Sequence, residues 1–175
     1  LNVTNFAQVI DLSLNGSLLV DTRPGATEVF VLDLNGSLTV LSVLTINGDV
    51  RVEVFGNGDW TMHGALSLSA GFPGLDLNIS AVLDLNSDGE MRLVIDGHIQ
   101  LGPSGFNITG DAHLDIHYWD SNDMALGGDL DKSLFVEGWL DVSGTLFYIP
   151  LPTVHLGVTY DGDTGYFTVR AGPVP

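Results

Sequence analysis

Apolar and polar residues alternate along almost the whole chain, and one phrase recurs: apolar, any, apolar, polar, Gly, any, apolar, any, apolar. It reads Leu12-Ser13-Leu14-Asn15-Gly16-Ser17-Leu18-Leu19-Val20, then Leu32-Asp33-Leu34-Asn35-Gly36-Ser37-Leu38-Thr39-Val40, then Leu44-Thr45-Ile46-Asn47-Gly48-Asp49-Val50-Arg51-Val52. Looser copies centre on Gly64, Gly97, Gly110 and Gly138. Side chains of a strand alternate between faces, so a period of two marks an extended chain with one apolar face. In every copy the glycine falls on the apolar parity. An Asn-Gly hairpin would break that parity, so each phrase reads as one continuous strand with a bare spot on its apolar face.

Helical periodicity is nearly absent. The pattern predicts about ten strands, over roughly 6–21, 29–41, 44–55, 59–70, 75–85, 90–101, 106–119, 133–149, 153–160 and 165–171. Turn chemistry separates them at Thr22-Arg23-Pro24-Gly25, Gly56-Asn57-Gly58-Asp59, Gly71-Phe72-Pro73-Gly74, Asn86-Ser87-Asp88-Gly89, Gly102-Pro103-Ser104-Gly105 and Asp161-Gly162-Asp163. The widest gap, Asp120 to Lys132, is polar and Gly-rich, and is the best place for a functional loop. Short connections make successive strands antiparallel neighbours. Registers set from the turns place Gly16 opposite Gly36, Gly36 opposite Gly48, Gly48 opposite Gly64 and Gly97 opposite Gly110. They also put Leu101 opposite Phe106, Arg92 opposite Asp115 and Glu90 opposite His117. Aligned glycines predict a crease in the sheet.

No helix is available to cover the apolar faces, so the sheet must cover itself. The expected fold is all-β: an antiparallel, mostly meander arrangement of long strands closing into a sandwich, a jelly-roll-like fold or a flattened barrel, with no substantial helix. Residues 1–175 form a single domain in this reading, with residues 1–21 as an assembly or donor strand. A membrane barrel fits less well, because the polar face carries charges and sequons that belong in water.

Composition narrows the partners. Five Lys+Arg against 22 Asp+Glu give a net charge of −17, which repels nucleic acid and anionic membrane surfaces. No run of about 18 apolar residues is present to span a bilayer as a helix. There is no cysteine, so neither disulfides nor thiol chemistry are available. The chain begins at Leu1 rather than Met, so an upstream piece, such as a signal peptide, is expected to have preceded it.

Five asparagines sit in Asn-x-Ser/Thr sequons: Asn2, Asn15, Asn35, Asn78 and Asn107. Composition alone predicts about one or two. The last four lie on the polar parity of their strands, where a glycan would project into solvent. This points to an extracellular or cell-surface glycoprotein.

Metal-ligating chemistry has two candidates. Asp84, Asn86 and Asp88 match the start of a calcium loop, Asp-x-Asn-x-Asp-Gly, but the closing Glu is missing, since Ile95 takes that place. His113, Asp115 and His117 share one face of a strand, a spacing from which two imidazoles can converge on zinc. Calcium is the cofactor the sequence allows. Trp119 and Trp139 point to the polar side and are candidates for sugar or protein contact, whereas Trp60 falls on the apolar side. No nucleophile elbow, phosphate loop or Rossmann fingerprint occurs, and no enzyme is expected.

The sequence therefore predicts a structural subunit of an extracellular fibre, filament or surface layer. It would be a homo-oligomer or polymer that carries or binds glycans and assembles by strand addition. The alternative is a secreted sandwich or barrel that binds carbohydrate or an apolar ligand.

Overall fold

The structure is a computed structural model that describes residues 2–6, 10–103, 105–119 and 133–173. The described residues form one antiparallel sheet of eleven strands, in spatial order identical to chain order, with no helix. The strands are β1 (Asn2–Phe6), β2 (Ile10–Val20), β3 (Glu28–Val40), β4 (Leu44–Phe55), β5 (Trp60–Phe72), β6 (Leu75–Asn86), β7 (Met91–Leu101), β8 (Phe106–Trp119), β9 (Ser133–Leu146), β10 (Ile149–Asp161) and β11 (Tyr166–Pro173). The all-β meander of long strands is as the alternation predicts. Each strand contacts only its neighbours in the chain. The sheet does not close, because β1 and β11 are the two edges. Its free edges and its apolar face leave room for the sandwich or flattened barrel anticipated from the sequence.

Two element boundaries differ from expectation. The first predicted strand, 6–21, is observed as β2, and an unpredicted strand, β1, precedes it and pairs with the first residues of β2. The predicted strand 133–149 ends earlier, in a two-residue turn at Phe147-Tyr148, where both residues have positive φ (51° and 65°). Leu41 and Ser42 turn the chain between β3 and β4 in the same left-handed conformation. Such a turn matches the twist of the flanking strands and normally uses Asn or Gly, so these bulky residues gave no signal. The Asp120–Lys132 gap lies outside the described residues.

The recurrent glycines behave as the parity argument requires. Every positive-φ glycine among the described residues lies in a turn, for example Gly58, Gly74 and Gly89. Gly16, Gly36, Gly48, Gly64, Gly97, Gly110 and Gly138 lie inside strands on the apolar face.

Their alignment needs correction. Gly36 does face Gly48. The other pairings slip by one step: Gly16 faces Leu34, Gly64 faces Val50, Gly48 faces Leu66, Gly97 faces Ala112, and Ile99 faces Gly110. Leu101 faces Ile108 rather than Phe106. The slip fills the bare spots. A Cβ on Gly16 would sit 2.6 Å from Leu34 Cδ2, and one on Gly110 would sit 3.2 Å from Ile99 Cγ2. The facing aliphatic chain thus lies over the glycine and makes dispersion contacts that a glycine opposite a glycine would forgo. The result is a staggered band of small residues across the middle of the sheet.

Candidate functional site

The registers carry one parity across the whole sheet. From β2 to β11 the apolar parity holds only Leu, Ile, Val, Met, Ala, Gly, Pro and aromatic residues, and the bulge at the start of β3 sets Glu28 opposite Phe55, on the polar parity of β4. Little covers this face. Val31 (6% exposed) and Ala70 (8%) are the only buried large or small apolar residues of the described core, and Val31 belongs to the polar parity. Leu14, Leu66 and Ile108 are 44%, 51% and 56% exposed. Trp60, expected to be buried, is 38% exposed, because it lies on the same uncovered face.

The staggered small residues hollow this face. A groove of about 530 Å³ runs across β2–β6, lined by Leu14, Leu34, Gly36, Gly48, Leu66, Ala81 and neighbouring aliphatics. Leucines form its banks, and glycines and Ala81 form its floor.

The opposite face is polar and internally paired. Four of the five histidines reach a carboxylate on a neighbouring strand through Nδ1: His63–Asp84 (2.6 Å), His98–Asp111 (2.6 Å), His113–Asp96 (2.7 Å) and His155–Asp141 (2.6 Å). Each pair is directly opposite in register. A carboxylate only accepts, so Nδ1–H donates in each. His98, Asp111, Asp141 and His155 stand in one row over β7–β10. Two carboxylates side by side destabilise a sheet. Here each has an imidazole on its far side, which offsets part of that repulsion.

Three of the four arginines pair similarly. Arg92 Nη2 donates to Asp115 Oδ2 at 2.7 Å, but diagonally, since the residue opposite Arg92 is His117. The predicted contact therefore forms despite the slipped register. That hydrogen bond, aided by the guanidinium charge, holds the Asp115 carboxyl below the usual carboxylate range against the opposing effect of burial. Arg51 donates to Glu53 on its own strand and lowers that carboxyl in the same way. Arg23 does so for Asp21 in the turn after β2. The predicted Glu90–His117 pair does not form. Glu90 instead accepts from Asn86 Nδ2 at 2.9 Å.

The candidate metal ligands go to separate partners. His113, Asp115 and His117 do share the polar face, as expected. His113 turns to Asp96 and stacks on Trp139 (centroids 5.8 Å apart, 21° between planes). Asp115 turns to Arg92, and His117 lies against Trp119 at 4.6 Å. In the calcium-like loop, Asp84 is drawn to His63. Asn86 Oδ1 accepts from the amides of Asp88 (3.0 Å) and Glu90 (3.1 Å), so it closes the β6–β7 turn. Among the described residues no three His, Asp or Glu side chains converge as a metal site. Trp119 and Trp139 are half-buried, each with an imidazole against it.

Of the sequons, Asn15, Asn35 and Asn78 are exposed and Asn107 is half-buried, while the side chain of Asn2 lies outside the described residues. Asn15 and Asn35 are direct cross-strand partners, a relation invisible before the register was known. Their Cβ atoms are about 5 Å apart by strand geometry, too close for two branched glycans to project independently.

The two edges also differ. β1 pairs with β2 only as far as Ser13, so Asn15–Val20 present an outer edge to which no described strand is bonded. At the far side, β11 covers Val154–Asp161 of β10, and the stretch left over carries Pro150 and Pro152. Proline lacks an N–H, so that stretch cannot offer a full hydrogen-bonding ladder, while the outer side of β11 is a second edge to which no described strand is bonded.

No family model matches the chain, and no curated protein or solved structure is similar to it. Among the described residues no helix is long and apolar enough to cross a membrane.

Proposed function

We propose that the chain is a building block of an extracellular, N-glycosylated β assembly, a fibre, filament or surface layer, in which copies join by strand addition. One observation carries this reading. Among the described residues the eleven-stranded sheet is left with unpaired edges, and the Asn15–Val20 edge has no proline or lysine to block pairing. A strand added there would gain a ladder of backbone hydrogen bonds and extend the sheet. The exposed sequon asparagines on the polar face agree with a glycan coat in an extracellular setting.

The test is polymer formation against concentration, followed by light scattering and electron microscopy. Unmodified chain forms extended particles. The double variant N15K/S17K places two charges beside the open edge on the exposed polar parity, where they do not disturb the fold, and it forms none. Polymers of undiminished length from N15K/S17K, or from a chain lacking residues 1–20, overturn strand addition at this edge. Intact mass after secretion from a glycosylating host checks the sequons. Occupancy of at least one site is expected, with Asn15 and Asn35 not both carrying branched glycans. A mass equal to the bare polypeptide removes the glycoprotein reading.

A second reading, a module that binds an apolar ligand, has the groove over β2–β6 in its favour.

A further inference from the structure

We propose that a second copy of the chain covers the apolar face, so that two sheets stack apolar side to apolar side as a two-layer dimer. This deepens the assembly reading by naming a contact separate from the edge, and the two contacts fail separately.

Area comes first. Strands about 4.8 Å apart and about 27–48 Å long give β2–β11 an apolar face of roughly 2,000 Å². The largest apolar patch on a typical monomer is about 300–600 Å². A standard stable interface needs about 800 Å² from each partner. The face is thus large enough for an obligate pairing and too large for a lone soluble chain.

Charge placement agrees. The paired Arg, His and carboxylate side chains lie on the opposite parity. Stacked sheets sit about 10 Å apart with their outer faces farther still, so the two sets of charges are separated by more than about one Debye length at physiological salt. The net charge of −17 per chain therefore does not forbid the contact.

Extent distinguishes a second copy from a small apolar ligand. The groove spans only β2–β6. A ligand filling it would leave Ile108, Leu140, Leu156 and Val169 as they are, at 56%, 38%, 41% and 59% exposure. A second sheet of equal size covers both halves. The furrow of small residues also gives a twofold-related partner a place to seat its leucines, as a self-complementary contact requires.

The chain has no cysteine, so single cysteines report contact cleanly. Ala81 lies near the middle of β6, the central strand, on the apolar face, and Ser80 lies beside it on the polar face. Under mild oxidation A81C forms a covalent dimer rapidly, and S80C does so at least about tenfold more slowly. In light scattering N15K/S17K runs as a dimer, while the unmodified chain grows from such dimers into the extended particles of edge addition. L140D, which lies outside the groove, weakens the dimer roughly a hundredfold or more, because it would bury an unpaired charge. Equal crosslinking of A81C and S80C overturns the proposal. So does a strand-rich monomer by circular dichroism at all concentrations, whether bare or carrying lipid taken from phosphatidylcholine vesicles. Polymers that persist while A81C fails to crosslink sink the face contact and leave edge addition standing. Dimers that persist while no polymer forms do the reverse.

Discussion

The two faces of this sheet are made from the same strands, yet they solve opposite problems. On the polar face, side chains that stand opposite one another complete each other: His98 with Asp111, His113 with Asp96, His155 with Asp141. On the apolar face, large chains lie over glycines, as Leu34 does over Gly16, but most of that surface finds nothing above it. The polar face is satisfied within one chain, and the apolar face is not. Satisfaction within the sheet comes cheaply to short-range hydrogen bonds, which need only a neighbouring strand. Hydrophobic burial needs a second layer. One layer of sheet therefore implies a second.

Substitution on each face breaks the comparison most sharply. Leu66 is 51% exposed in a single sheet, so a lone chain would tolerate L66D at small cost. With the face covered, the expected loss is several kcal/mol in denaturant unfolding, or loss of folded protein. Its neighbour Ser67 lies on the polar face, and S67D is expected within about 0.5 kcal/mol of the unmodified chain. Equal, small effects at both positions would mean that the apolar face stays open to water.

Within the furrow the effects should be smaller and should follow what lies above each glycine. A Cβ on Gly36 meets the Ser13 carbonyl oxygen at 2.9 Å, and backbone cannot step aside. G36V is expected to cost about 2 kcal/mol or more. A Cβ on Gly48 meets only ordinary contacts at 3.6 Å. G48A is expected to be neutral or to stabilise by about 0.5 kcal/mol, since glycine loses more freedom on folding. Thermal unfolding of both variants checks the ordering, and a reversed order would contradict the registers.

On the polar face the effects shrink further. R92A removes the partner of Asp115 and is expected to lower stability slightly at neutral pH, less than the changes in the furrow. Asp115 has a folded pKa held below its unfolded value by Arg92. Its contribution is therefore present above the ordinary carboxylate range and is lost as pH falls through the folded value. The stability difference between unmodified chain and R92A should be constant from pH 7 to about pH 5, should begin to shrink below about pH 4, and should vanish only once the pH lies below the lowered folded value of Asp115. A difference that persists into strong acid would assign the effect to packing. R23A, at an exposed turn pair, should leave the melting temperature unchanged.

Much of this architecture was legible because alternation is a local property. The parity of Leu12, Leu14, Leu18 and Val20 set the face of β2 before any partner was known, and the non-hairpin reading of Asn15-Gly16 followed from that parity. Register was less legible. It depends on where each turn places its last pair: the Phe106 amide donates to the Pro103 carbonyl within the turn, and Ile108 rather than Phe106 stands opposite Leu101. The turns at Leu41-Ser42 and Phe147-Tyr148 were hidden because residues that normally avoid left-handed backbone occupy it. Of the candidate sites, the polar stripe of His113, Asp115 and His117 was visible by parity. Of its partners, Arg92 was anticipated for Asp115, whereas Asp96 and Trp139 were not, since they depend on registers that the turns did not fix.

Sedimentation velocity of the N15K/S17K chain, which removes polymer from view, measures the central claim most directly. A species of two chains, each of 18.6 kDa, across the dilution series is the predicted result. A folded species of one chain mass at every concentration would show that the sheet finds its second layer within itself or does without one.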